Sequence, residues 1–155
     1  MTDNLTLAQR HTCMRAVKAR NTSPERAVRS MLHRLGCRFV LHRADLPGKP
    51  DIVMPARGCV VLVNGCFWHG HTCARGCREP VANAQYWRTK IGRNKDRDRR
   101  ALVALRRDRW HVLVVWECQI RNAAQLERRL VKFLDARKGL VPMIAGQPLR
   151  GNSRH

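Results

Sequence analysis

Three cysteines and two histidines fall within twelve residues of this chain: Cys66, His69, His71, Cys73 and Cys77. A further cysteine, Cys118, follows a later apolar run. Zinc takes four cysteine or histidine ligands in a tetrahedron. Cys66, His71, Cys73 and Cys118 can supply them, three from one loop and one from a neighbouring strand. A closed set of this kind would fasten a loop that has no core of its own, so a structural site is expected. Cys77 and His69 compete as ligands, and small buried thiols are the plainer alternative. The second chemical group is Asp51, which follows Pro50 and the turn signal Leu46-Pro47-Gly48-Lys49. A carboxylate opening a strand after a tight turn is well placed to hold a divalent metal, although Pro-Asp is also a common turn dipeptide.

Aromatic and basic residues surround these groups. Phe67-Trp68 sits inside the cysteine-rich stretch and Tyr86-Trp87 follows it. Adjacent aromatics in a Gly-rich loop cannot easily both point into a core. Among lysines and arginines they suit stacking on bases or wedging into a base step; Trp110 and Trp116 read instead as core. The chain carries 31 Lys plus Arg against 11 Asp plus Glu, a formal net charge of +20 over 155 residues. So one-signed a surface calls for a polyanion, and nucleic acid is the leading candidate. Arg93, Lys95, Arg97, Arg99 and Arg100 have few acids to pair them, and phosphate contact is expected of them. Such contacts position a protein without reading sequence.

Composition excludes other classes. A hydrophobic fraction of 44% is that of a folded domain and not of a disordered basic tail. No apolar run approaches the roughly 20 residues needed to span a bilayer, and the N-terminus has no signal-peptide core, so a cytoplasmic protein is expected. Seven cysteines, an odd number, in such a chain argue for reduced thiols and against a disulfide framework.

The elements that must position these groups follow from pattern. Residues 1–20 read as a basic arm or short helix. Thr22 and Glu25 have the spacing of a capping box, with Pro24 in the first turn, and Ala27, Val28, Met31, Leu32 and Leu35 recur at helical spacing before Gly36. Strands are expected at 37–42, 51–54 and 59–63, the last two side by side and parallel. A long basic helix over 83–109 would cross over to a fourth strand at 112–116. A last helix covers 124–136, and 139–155 reads as a flexible tail. The order predicts an α/β domain at 21–138, with a single mixed sheet flanked by helices.

The placing of Asp51 resembles the PD-(D/E)xK nucleases, the restriction-endonuclease-like fold, though the usual Glu-x-Lys pair is replaced by Val63-Asn64-Gly65. A closer resemblance covers roughly residues 10–135. Leu46 to Asp51, Gly65-Cys66-Phe67-Trp68-His69, Tyr86-Trp87 with Lys90-Ile91, Asn94 and Arg97-Asp98-Arg99-Arg100, and Val112 to Cys118 resemble the very-short-patch repair (Vsr) endonucleases.

The resemblance implies an enzyme that nicks duplex DNA 5′ to the T of a T:G mismatch, the lesion left when 5-methylcytosine deaminates. Asp51 would ligate Mg²⁺ with the backbone carbonyl of Val63, His69 would be the general base, and Glu25 would complete the acidic site. Cys66, His71, Cys73 and Cys118 would hold a structural Zn²⁺. Phe67, Trp68 and Trp87 would form the DNA wedge, with Met14 pressing from the minor groove. Asn64 stands where the best-known members carry a second catalytic histidine, which leaves rate and sequence context open. A monomer is expected, because an asymmetric mismatch does not call for a symmetric dimer. Functional association with a cytosine-5 methyltransferase and downstream repair proteins in a bacterial cytoplasm is also implied. Two rival readings stand beside this one: a nickase of broader mismatch or sequence choice, and a non-catalytic zinc-stabilised DNA-binding protein.

Overall fold

The computed structural model describes residues 6–16 and 20–139, together with the backbone of 143–144 and 147–148. The side chain of Met14 and almost all of the expected tail lie outside the described residues. Among the described residues, four α-helices and six strands run in the order α1 (Leu7–Ala16), α2 (Ser23–Arg34), β1 (Val40–Leu41), β2 (Ile52–Met54), β3 (Cys59–Asn64), α3 (Ala84–Arg107), β4 (His111–Trp116), α4 (Ala123–Asp135), β5 (Met143–Ile144) and β6 (Gln147–Pro148). Strands β1 to β4 form one mixed sheet in chain order, and β5 pairs only with β6.

The sheet is the frame, and alternation along its strands sets the two faces. Ile52, Met54, Cys59, Val61 and Val115 meet Val28, Met31 and Leu32 of α2 and Leu126, Leu130 and Phe133 of α4. Val53, Val60 and Leu62 point the other way, onto Leu105 and Trp110 beside α3. Strand β3 is therefore covered on both sides, which explains its unbroken apolar run. Burial of this kind makes truncation costly, and Leu130→Ala would remove about 2–5 kcal/mol.

One expectation is corrected. β2 and β3 are antiparallel, with Met54 opposite Cys59. A single tight turn joins them, Pro55–Arg57 plus Gly58 in the left-handed region, and a link so short cannot make the crossover that parallel strands need. The parallel pair is β3 with β4, joined through α3. The expected strand over 37–42 also shrinks to Val40–Leu41. Cys37 is buried against α2 instead, and His42 leaves the strand with a φ of 49°.

α3 does two jobs. It has 24 residues, so it is about 36 Å long and overshoots the sheet. Its C-terminal part carries Ala101 and Leu105 into the core, while Asn94 and Asp98 near its middle hold the 66–77 loop.

Candidate active site and metal-ligand cluster

Two clusters of ligand-type atoms lie at the end of the sheet where β3 and β4 finish. In the first, Cys66, His71, Cys73 and Cys118 each offer one atom, and all four atoms lie within 4.8 Å of one another. Zinc–sulfur bonds of 2.3 Å in a tetrahedron put sulfurs about 3.8 Å apart, so the set has the dimensions of a zinc site. The Cys118 backbone N–H donates to Cys66 Sγ at 3.4 Å, and His71 Nδ1 lies 3.6 Å from Cys118 Sγ.

Electrostatics also fit a cation there. Burial pushes the Cys66 thiol up to about 12, while the hydrogen bond from His71 chiefly brings Cys73 down to about 6. A metal takes the thiolate form, and at the buried Cys66 sulfur that form would need a positive charge beside it. His69 and Cys77 are not part of the set. Cys77 is exposed and donates to the carbonyl of Thr72. The loop closes on itself without side-chain bulk: a Cβ on Gly76 would stand 2.0 Å from the carbonyl oxygen of His71. Trp116, expected in the core, is half-buried and stacks on His71 with ring centroids 4.3 Å apart.

The second cluster is Glu25, His42 and Asp51, again within 4.8 Å. Asp51 leads into β2, and its Oδ2 accepts the backbone N–H of Val63 at 2.8 Å. Burial raises the Asp51 carboxyl above the ordinary carboxylate range; the Val63 hydrogen bond opposes this, and the nearby Glu25 charge adds to it. A carboxylate so placed gains from a cation. Glu25 is 3% exposed and serves the helix as well. Thr22 caps α2 through the Glu25 backbone N–H, and the Glu25 carboxylate accepts from the Thr22 hydroxyl and the Asn21 N–H.

His69 completes the site from α3's side. Its Nδ1 is bonded to Asp98 Oδ2. A carboxylate there accepts a hydrogen bond from Nδ1–H and so favours the tautomer that leaves the lone pair on Nε2, the form needed in a general base. One turn earlier on α3, Asn94 Nδ2 donates to the Trp68 carbonyl at 2.9 Å. The helix can come this close because residue 70 is glycine, with a φ of 60° and Ile91 Cγ2 only 2.9 Å from where a Cβ would be.

The aromatics form one cluster. Phe67 meets Trp68 edge-on at 5.1 Å and Trp87 at 5.5 Å, and Trp68 lies 5.9 Å from Trp87. Phe67 and Trp68 are half-exposed, while Trp87 is 7% exposed and underlies them. Arg93, Lys95, Arg97, Arg99 and Arg100 are all exposed along α3; Arg99 also reaches Asp96 at 3.2 Å. Asn64 ends β3, half-buried, opposite Trp116.

Pattern reading did not find His42, Asp98 or Arg29, whose Nη2 lies 2.9 Å from Glu25 Oε2 and 3.1 Å from His42 Nε2. Asp98 had a signal, since it follows Asn94 by one helical turn, but it lies hidden between Arg97 and Arg99. His42 had none, because its role comes from a backbone turn.

A lone pair on an imidazole, a cation-ready carboxylate and a basic helix are what hydrolysis of a backbone phosphate requires, which puts the chain among the nucleases. Comparison with known proteins carries this to a family. The model of the family described as DNA mismatch endonuclease Vsr matches residues 2–75. The DNA mismatch endonuclease Vsr of Escherichia coli is 40% identical over 119 residues, 77% of this chain and 76% of that protein. The type II nicking enzyme V.XorIIP of Xanthomonas oryzae pv. oryzae is 50% identical over 135 residues, 87% of this chain and 98% of its own length. V.NmeAIP of Neisseria meningitidis, another type II nicking enzyme, is 36% identical over 141 residues, 91% and 100% of the two chains.

The chain belongs to the Vsr family of DNA mismatch endonucleases, which includes related nicking enzymes. It is an endonuclease, and the non-catalytic reading falls away. Among the described residues no helix is long and apolar enough to cross a membrane.

Proposed function

We propose that this endonuclease nicks duplex DNA on the 5′ side of the T in a T:G mismatch, using Mg²⁺ at Asp51 and His69 as general base. The observation that carries the reading is the His69–Asp98 bond beside the Asp51 carboxylate. Asp51, aimed by the Val63 N–H, would hold the cation together with the backbone carbonyl of Val63. When bound, Mg²⁺ polarises the phosphoryl oxygen and stabilises the leaving oxygen. His69 Nε2 takes the proton of the attacking water, and Asp98 keeps the imidazole in the right tautomer and orientation. Asn64 can orient a neighbour by hydrogen bonds but cannot accept a proton at neutral pH. The chain therefore relies on His69 alone for that step.

Zn²⁺ on Cys66, His71, Cys73 and Cys118 would be structural. Because His69 lies on the same loop, the zinc would also fix the base. Phe67 and Trp68 suit a wedge that unstacks the mismatched step, with Trp87 as its buried backing; unstacking costs a few kcal/mol and least at a mismatch. Arg93, Lys95, Arg97, Arg99 and Arg100 would grip phosphates, and Met14 would press from the minor groove. The relation to a restriction-endonuclease-like fold rests on Asp51 at the start of β2. The physiological setting would be a bacterial cytoplasm, a monomer, and a cytosine-5 methyltransferase that creates the methylated site.

End-labelled duplexes that differ only at one pair test this with Mg²⁺. Cleavage confined to T:G, on the T strand just 5′ of that T, is the expected result. Cutting of several mismatches would support the nickase of broader choice, which the asparagine at 64 makes the second reading.

A further inference from the structure

We infer that Lys49 is a substrate-contacting residue of the nicking reaction: the strained turn that leads into Asp51 presents its ammonium to the DNA phosphate at the cleaved step. The inference rests on the Asp51 reading above and adds a cation to it.

The chain is pinned on both sides of Lys49. Pro47 and Gly48, the latter with a φ of 75°, are the middle residues of a turn that the Lys49 N–H closes on the Leu46 carbonyl at 3.1 Å. Gly48 lies so close to α3 that a Cβ would stand 2.6 Å from the Ala101 Cβ. Pro50 is fully buried. Asp51 accepts the Val63 N–H at 2.8 Å through its side chain and the His42 N–H at 3.1 Å through its carbonyl. Lys49, caught between them, has a φ of 48°. A residue before proline is driven toward extended backbone, with φ near about −120°. The left-handed region is also costly for any residue with a Cβ. Lys49 meets both penalties.

Among the described residues five others than glycine have a positive φ, and four have a local reason for it. Asn83 caps the start of α3, and Arg109 follows the C-cap of the same helix, where left-handed backbone is usual. Asn21 gives its N–H to Glu25, and His42 puts its ring into the carboxylate cluster. Lys49 has no such reason inside the molecule. Its side chain is exposed and makes no hydrogen bond or ion pair among the described residues. Strain enforced by well-packed neighbours collects at functional sites, and here it delivers a cation two residues from Asp51. An ammonium on a long stem meets a phosphate as a point charge. Where negative charge grows on the reacting phosphate, such a cation acts more strongly in the transition state than in the bound substrate.

The test reads single-turnover nicking by the full chain with Mg²⁺, on the duplex that wild type cleaves, beside melting temperature and DNA affinity. Lys49→Gln removes the charge and keeps the backbone. Its rate should fall at least about tenfold, since an exposed cation counts for less than a buried donor. Affinity should change less than the rate, and the melting temperature should stay. Lys49→Arg should nick faster than Lys49→Gln. Lys49→Gly should nick as slowly as Lys49→Gln yet melt about 1–3 °C above wild type, because relief of the left-handed backbone outweighs the extra freedom of the unfolded chain.

Wild-type nicking by Lys49→Gln overturns the inference. A loss confined to affinity does so too, and would place Lys49 with the phosphate grip of α3. So does a Lys49→Arg protein no faster than Lys49→Gln, since the charge would then not be what the residue supplies. A Lys49→Gly protein that melts below wild type would make Lys49 a structural part of the turn and overturn it as well. Full nicking by Asp51→Asn would instead overturn the Asp51 reading, whatever the Lys49 variants do.

Discussion

The two ligand clusters are built in opposite ways. The sulfur cluster takes three of its members from one loop of eight residues, Cys66 to Cys73, and one from the 3₁₀ helix Glu117–Arg121 that follows β4. The carboxylate cluster is assembled from α2, from the residue after β1 and from the entry to β2. The first has soft donors, which suit zinc and can hold a loop that lacks an apolar core. The second has oxygens and one imidazole, set on elements the hydrophobic core already fixes. Zinc would thus supply stability where the sheet cannot, and the sheet supplies rigidity where chemistry needs it. His69 and the aromatics belong to the sulfur loop by chain position and to the carboxylate centre by chemistry. α3 bridges the two through Asn94 and Asp98.

The largest expected effect lies in the carboxylate centre. Asp51→Asn should lower the nicking rate at least about 10³-fold, because the cation it would hold is worth several kcal/mol in the transition state. Zinc content, melting temperature and DNA affinity should stay near wild type. A joint loss of zinc and activity would break the separation of the two clusters. Asp98→Asn should cost at least about 10²-fold in kcat, the lower end of what a general base supplies. Asp98 is a positioning residue, so DNA binding should be unchanged and Asp98→Glu should recover part of the rate. An Asp98→Asn enzyme with normal kcat would separate His69 from the base role.

The contrast also decides what could be seen in the sequence. The sulfur cluster was legible because its ligands are close in the chain and cysteine in that density has few other uses. The strands of the core were legible from their unbroken apolar runs, as in Val60 to Val63. The carboxylate centre was half hidden. Glu25 has a sufficient local explanation as a capping residue, and Asp51 has one as a turn residue. His42 and Arg29 have no pattern at all, since a positive φ and a helical turn bring them together. Strand direction between β2 and β3 was misread because apolar runs carry no direction; the length of the turn does.

Cys73→Ser comes next in size. It should remove the zinc and lower the melting temperature, since structural zinc contributes directly to folding. Nicking should fall roughly 10- to 100-fold, because His69 and the wedge would lose about an ångström of registration. The core should remain, so the far-ultraviolet circular dichroism should hardly change. Normal nicking from zinc-free Cys73→Ser protein would show that α3 alone aims the loop.

The smallest effect sharpens the comparison by separating both clusters from the core. His111 begins β4, away from either site, and stacks on Phe133 of α4 with ring centroids 4.5 Å apart and planes at 12°. Burial, helped by the Arg137 charge, lowers its pKa below the ordinary 6.5. The unfolded chain therefore binds this proton more readily than the folded one. Stability from this residue is complete above pH 6.5 and is lost as the pH falls through the lowered folded value. His111→Phe keeps a ring against Phe133 and removes the titration. Between pH 7 and pH 5 its melting temperature should fall less steeply than that of the wild type, while the pH profile of nicking should be the same for both. Parallel melting curves would show that the stack, and not the proton, is what His111 contributes. A shifted activity profile would mean that β4 transmits the charge at its start to the cysteine loop at its end, which would make the two regions one.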